Sequence, residues 1–146
     1  MIVKSPVNGQ EIDVDALVQA VRDLAKESPE NIYLPALSGE NCRYSTGQCD
    51  HGSCGCIVGQ ALARIGLDPA SFEEMGNSPS ASKVVGALSG KWGPGTWLRC
   101  VQQAQDSGRR WAIAIEVADE QGEEQARYEA KCAASHRPKP TTPSNR

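Results

Sequence analysis

Aromatic residues are scarce in this chain: one Phe, three Trp and three Tyr make up 5% of its 146 residues. A core built from it is mostly aliphatic and alanine, so each large ring marks a special place. Long apolar runs are missing too, since nothing approaches the ~20 residues needed to span a bilayer. Met1-Ile2-Val3-Lys4-Ser5-Pro6 lacks the apolar stretch of a secretory leader. These absences argue against a membrane partner and predict a cytoplasmic protein. Positive charge is not in excess, with 15 Lys and Arg against 18 Asp and Glu and a pI near 5.4. Proteins that grip nucleic-acid phosphates need a dense Lys/Arg surface, so nucleic acid is not expected as a partner. A Gly-rich phosphate loop after a strand, a His-Glu-x-x-His helix and a Gly-x-Ser-x-Gly elbow are all absent from the sequence.

What is present reads as a globular chain, 39% hydrophobic and 23% charged, of a length that fits one domain. Ile2-Val3 and Ile12 flank Asn8-Gly9, a dipeptide suited to a tight hairpin turn because both residues tolerate positive φ. From Asp13 the period changes, and Val14, Leu17, Val18, Val21, Leu24 and Ala25 share one helical face. Asp13 is the expected N-cap and Ser28-Pro29 the stop. Residues 31 to 55 fit no periodic template and read as a long loop, with short strands expected at Ile32 to Leu34 and at Arg43 to Ser45. Helical spacing resumes from Cys56 to Ile65, with Gly66 as the left-handed stop. Gly59 inside it is costly unless another helix packs closely there. Asp68-Pro69 starts a short piece through Met75, and Ser80 or Ser82 starts another that covers Val84, Val85 and Leu88. Thr96 is the expected cap of a helix bearing Trp97, Leu98, Val101 and Ala104, which Gly108 ends. The last helix begins near Arg109 or Arg110, is apolar over a wide arc through Ala118, and continues as a solvated extension to about Ala134. The fold class that follows is mainly α. About five helices form one compact domain over residues 1–135, with a minor β-hairpin element and a disordered, proline-rich tail over 136–146.

The sharpest chemical signal is Cys42, Cys49, His51, Cys54 and Cys56, five soft or borderline metal ligands in a glycine-rich stretch. Zinc takes four such ligands in a tetrahedron, and a Gly-rich segment can wrap them around one ion. The spacings Cys-x6-Cys, Cys-x-His and Cys-x-Cys are not the paired Cys-x2-Cys knuckles of a strong zinc signal. Three readings stand: a structural zinc site, small core hydrophobes with incidental loop thiols, or a disulfide formed as a redox switch. Cys56 also falls at a helix N-terminus, a position used to activate cysteine nucleophiles. A cysteine-dependent enzyme would need a base, and the only histidines are His51 and His136.

Trp92 and Trp97 flank Gly93-Pro94-Gly95, either as the lip of a ligand site or, as is commoner, to seal the end of a core. The tail, with Pro138, Pro140 and Pro143 among basic residues, has the polyproline composition that aromatic grooves read, and equally the composition of plain disorder.

Two stretches taken together resemble small uncharacterised proteins of actinobacteria and their phages. One is Asn41-Cys42-Arg43-Tyr44 followed by Gly55-Cys56-Ile57-Val58-Gly59-Gln60-Ala61-Leu62-Ala63-Arg64-Ile65-Gly66. The other runs from Trp97-Leu98 through Val101-Gln102, Gln105-Asp106 and Gly108 to Trp111 and Ala114. The resemblance covers most of residues 13 to 119 and implies a short, mostly helical protein of actinobacterial or phage origin, without an implied activity. Cys49, His51 and Cys54 look like additions between the two family cysteines, so a metal site would be peculiar to this branch. The leading expectation for function is a non-enzymatic protein-interaction protein, phage-encoded in one version, that binds a host or phage protein. The alternatives are a zinc-stabilised regulatory module built on the Cys42 to Cys56 loop and a cysteine-dependent enzyme.

Overall fold

The computed structural model describes residues 1–33, 44, 55–73, 78–86 and 92–135. Strands β1 (Ile2–Lys4) and β2 (Glu11–Asp13) pair antiparallel with Val3 opposite Ile12. Ile12 is fully buried and Val3 packs on the core, so one face of this small ribbon is the inner one. The connection is wider than a two-residue turn. The Ser5 amide donates to the Gln10 carbonyl at 2.8 Å, and Asn8 turns its side-chain oxygen onto the Gln10 amide at 3.0 Å. Gly9 alone takes positive φ, +74°, because the Asn8 side chain does its share of the turning through a hydrogen bond.

Helix α1 (Val14–Glu27) follows β2 without a loop, and Asp13 caps it by accepting from the Ala16 amide at 3.2 Å. Its buried face is Val14, Leu17, Ala20, Val21, Leu24 and Ala25. Ile32 and Tyr33 form no strand, and of the segment expected at Arg43 to Ser45 only Tyr44 falls among the described residues. Helix α2 (Ile57–Arg64) ends at Gly66, whose φ of +90° is the left-handed stop. A 3-10 turn (Pro69–Phe72) is capped by Asp68 and stops short of Met75. Helix α3 (Ala81–Val85) ends at the left-handed Gly86, before Leu88, which lies outside the described residues.

Helix α4 (Pro94–Asp106) starts earlier than Thr96 predicts, because Pro94 brings a φ already suited to the first helical position, and Gly93 is the N-cap. Helix α5 (Trp111–Ser135) starts where the chain leaving α1 receives it. The amides of Trp111 and Ala112 donate to the carbonyls of Asn31 and Pro29 at 2.9 and 3.1 Å, satisfying orphan donors of its first turn. The described residues thus form five helices and one two-stranded sheet. Helix α4 packs on both α5 and α3, and α1 packs on α2. No described helix is long and apolar enough to cross a membrane.

Two contacts explain residues that periodicity left unexplained. The side-chain oxygens of the buried Gln102 and Gln105 on α4 accept from the Ala81 amide at 2.6 Å and the Ile57 amide at 3.2 Å. One helix therefore supplies N-terminal partners to two others. A Cβ on Gly59 would lie 2.0 Å from the Tyr44 carbonyl oxygen, so the close neighbour there is the Tyr44 backbone and not a helix. Tyr44 itself is fully buried, with its hydroxyl donating to the Pro79 carbonyl at 2.5 Å.

Candidate functional site

Alongside its core face, α1 carries Asp15, Val18, Gln19 and Arg22, which form one wall of an open groove of about 290 Å³. Trp92, Gly93, Pro94 and Trp97 at the start of α4 form the other wall. Arg22 spans the groove floor to Asp119 on α5, making a two-pronged ion pair at 2.9 and 3.1 Å. The Trp97 indole N–H donates to the same Asp119 oxygen that takes the 2.9 Å bond, at 2.8 Å. The Arg22 guanidinium carbon also lies 4.6 Å from the centre of a Trp97 ring, within cation–π range. Trp97 is thus fixed at its edge by a carboxylate and on its face by a cation.

Asp119 is held below the usual carboxylate range, first by the Arg22 hydrogen bond and then by the Trp97 indole and the Arg22 charge, against an opposing desolvation effect. Its oxygens already receive three donors. A carboxylate so engaged is a poor proton acceptor, and the arrangement suits a rigid platform better than acid–base chemistry. Trp92 is the more accessible ring. Its indole lies across Gly122 of α5, where a Cβ would meet Nε1 at 2.8 Å, and its amide donates to Glu129 at 3.4 Å. A glycine in mid-helix costs up to ~1 kcal/mol, and here it makes room for the ring. The rim of the groove carries the Met1 ammonium bound to Asp15 at 2.5 Å, which raises the amino group above its ordinary range.

Two further depressions adjoin α1. One, of about 320 Å³, is lined by Arg22, Ala25, Lys26, Pro29, Ala112 and Ile115. The other, of about 420 Å³, includes Glu27, Gln60, Arg64 and Trp111. Arg64 pairs with both oxygens of Glu27 there, which pulls the Glu27 carboxyl below its ordinary range. The Trp111 indole N–H is buried and has no hydrogen-bond partner among the described residues.

Of the residues singled out as metal ligands, Cys42, Cys49, His51 and Cys54 lie outside the described residues. Cys56 is the N-cap of α2 and fully buried within the hydrophobic cluster. Among the described residues no three His, Cys, Asp or Glu side chains form a group able to hold a metal ion. Cys100 and Cys132 are free thiols, and burial pushes the Cys100 thiol up. The two roles considered for the Trp pair divide between its members: Trp97 is packed into the core at 6% exposure, while Trp92 stays half-buried at the groove. Arg22 and Asp119 were not singled out from the sequence, because 97 residues separate them and no spacing pattern links them.

The chain matches no family model, no curated protein and no solved structure.

Proposed function

We propose that this chain is a non-enzymatic protein-interaction module, and that the Trp92–Trp97 groove beside α1 is the surface it offers to a segment of another polypeptide. The observation that carries the reading is the Arg22–Trp97–Asp119 arrangement. Trp and Arg are the residue types over-represented among the anchors of protein interfaces. Here both are immobilised before any partner arrives, so little side-chain freedom is lost on binding. Trp92, Pro94 and Val18 supply apolar contact area, and Asp15 and Gln19 supply a polar rim. The acidic balance of the chain supports a protein partner over nucleic acid. A host or phage protein in an actinobacterial cytoplasm is the partner class that the sequence resemblance brings to this reading.

The test is site-specific photo-crosslinking. A benzophenone side chain at Gln19, in the groove, is expected to give one dominant protein adduct in actinobacterial lysate, and the same group at the exposed Ala63 on α2 none. An adduct that survives Val18→Asp, which places a charge in the groove, would remove the groove from the interface.

A further inference from the structure

The groove reading leaves open what chemistry the groove accepts, and the chain itself carries a segment of matching kind. The stretch Arg137-Pro138-Lys139-Pro140-Thr141-Thr142-Pro143 places Arg137, Pro140 and Pro143 three residues apart. A polyproline II helix has three residues per turn, so these side chains fall along one edge. Proline-rich segments of this pattern dock into grooves lined by aromatic rings, with little ordering entropy to lose. Trp92, Trp97 and Pro94 make such a lining.

Reach and charge point to the same occupant. Residue 136 follows Ser135, the end of α5, and α5 is the helix that supports both rings, through Asp119, Gly122 and Glu129. From Gly122 to the end of α5 is roughly 20 Å at 1.5 Å per residue. Residues 136 to 143 extended as polyproline II cover roughly 25 Å, enough to run back to the groove. That path follows a helix with six acidic residues against two basic ones, and the segment 136–146 has three Lys or Arg and no acid. We propose that Arg137 to Pro143 docks into the Trp92–Trp97 groove of its own chain, with the basic side chains toward the acidic length of α5. This rests on the groove reading, and it means that a partner protein enters by displacing the tail.

The test uses the full chain, with ¹⁵N NMR of the three indole N–H groups, assigned by single Trp→Phe variants. In a Pro140→Ala/Pro143→Ala chain the Trp92 and Trp97 signals are expected to move, while that of the buried Trp111 stays in place. A peptide of residues 136–146 added to that variant is expected to return both signals toward the wild-type positions, at the roughly millimolar concentrations that a short tether supplies internally. A peptide with the same two alanines is expected to do nothing. Wild-type and variant spectra that superimpose overturn the proposal, and so does a shift that extends to Trp111, which reports a changed core. Tail-dependent shifts that vary with chain concentration assign the tail to a second copy and overturn docking within one chain. The groove reading is judged separately: crosslinking from position 19 to another protein upholds it even if the tail never docks.

Discussion

The side-chain oxygen of Gln105, a residue with no exposed surface, accepts the backbone N–H of Ile57 at 3.2 Å across 48 residues of sequence. Its amide nitrogen donates to Asp106 at 2.6 Å. Three residues earlier, Gln102 does the same for the first amide of α3. The Gln-x2-Gln spacing puts both side chains on one face of α4, and each satisfies a helix N-terminus that has no side-chain cap of its own.

Gln105→Leu keeps most of the volume and removes the acceptor. The Ile57 amide is then buried without a partner, which costs about 1–3 kcal/mol. A fall in Tm of about 3–10 °C is expected in calorimetry. An unchanged Tm would show that this bond contributes nothing to stability.

Gly59→Ala tests the tightest backbone approach among the described residues. The new Cβ would sit 2.0 Å from the Tyr44 oxygen and 2.6 Å from its carbonyl carbon and Cα, all backbone atoms that cannot rotate away. Alanine favours a helix over glycine by about 1 kcal/mol, yet overpacking of this kind costs about 3 kcal/mol or more. Net destabilisation is therefore expected, with Tyr44 pushed from its Pro79 contact, visible as increased quenching of tyrosine fluorescence by acrylamide. A chain as stable as the parent would mean that α2 and Tyr44 lie farther apart.

The reach of the sequence can be judged from these same residues. α1 was legible because everything that specifies it is local: the Asp13 cap, the apolar face and the Ser28 stop. The cost of Gly59 was legible too, but not the neighbour that explains it, since Tyr44 is brought there by the fold and not by helical spacing. Gln102 and Gln105 entered only as part of a resemblance, because glutamine in a helix ordinarily points to water and nothing local marks these two as caps. At the groove, Trp92, Pro94 and Trp97 were visible as neighbours in sequence. Arg22 and Asp119, which hold Trp97 in place, were not, as one lies on an early helix and the other where composition turns polar. The hairpin turn and the Thr96 cap missed by a few residues for a simpler reason, that Asn8 and Pro94 each admit more than one local solution.

The Arg22–Trp97–Asp119 cluster predicts a defined response to acid. Asp119 is shifted downward in the folded chain, so its contribution to stability is present above the unfolded aspartate value of about 3.9 and is lost as pH falls through the lower folded value. The indole N–H signal of Trp97 should therefore hold its position through the ordinary aspartate range and move only below it. Asp119→Asn should abolish that acid transition. Both partners of the ion pair are more than a third exposed, so the stability loss at neutral pH is set at about 1 kcal/mol or less. A Trp97 titration centred at the ordinary aspartate value would sink the account of the cluster.

Cys56 offers the decisive view of the loop cysteines. Its side chain is fully buried in the cluster formed by α1, α2 and α4. In the native chain it should resist an aromatic disulfide reagent that the half-buried Cys100 and Cys132 meet sooner, and it should react only on unfolding. The same burial bears on metal. Cys42, Cys49, His51 and Cys54 number four, the complete tetrahedral set for zinc, so a site made from them has no need of a thiol already placed in the core. Cys56→Ala is accordingly expected to keep whatever zinc content the parent protein shows by elemental analysis, while losing about 1 kcal/mol of stability to the small cavity. If chelation lowers the parent Tm, it should lower that of Cys56→Ala by the same amount. Loss of stoichiometric metal on that single substitution would instead place the Cys56 sulfur on the ion and shift attention from the Trp groove to a zinc-stabilised module.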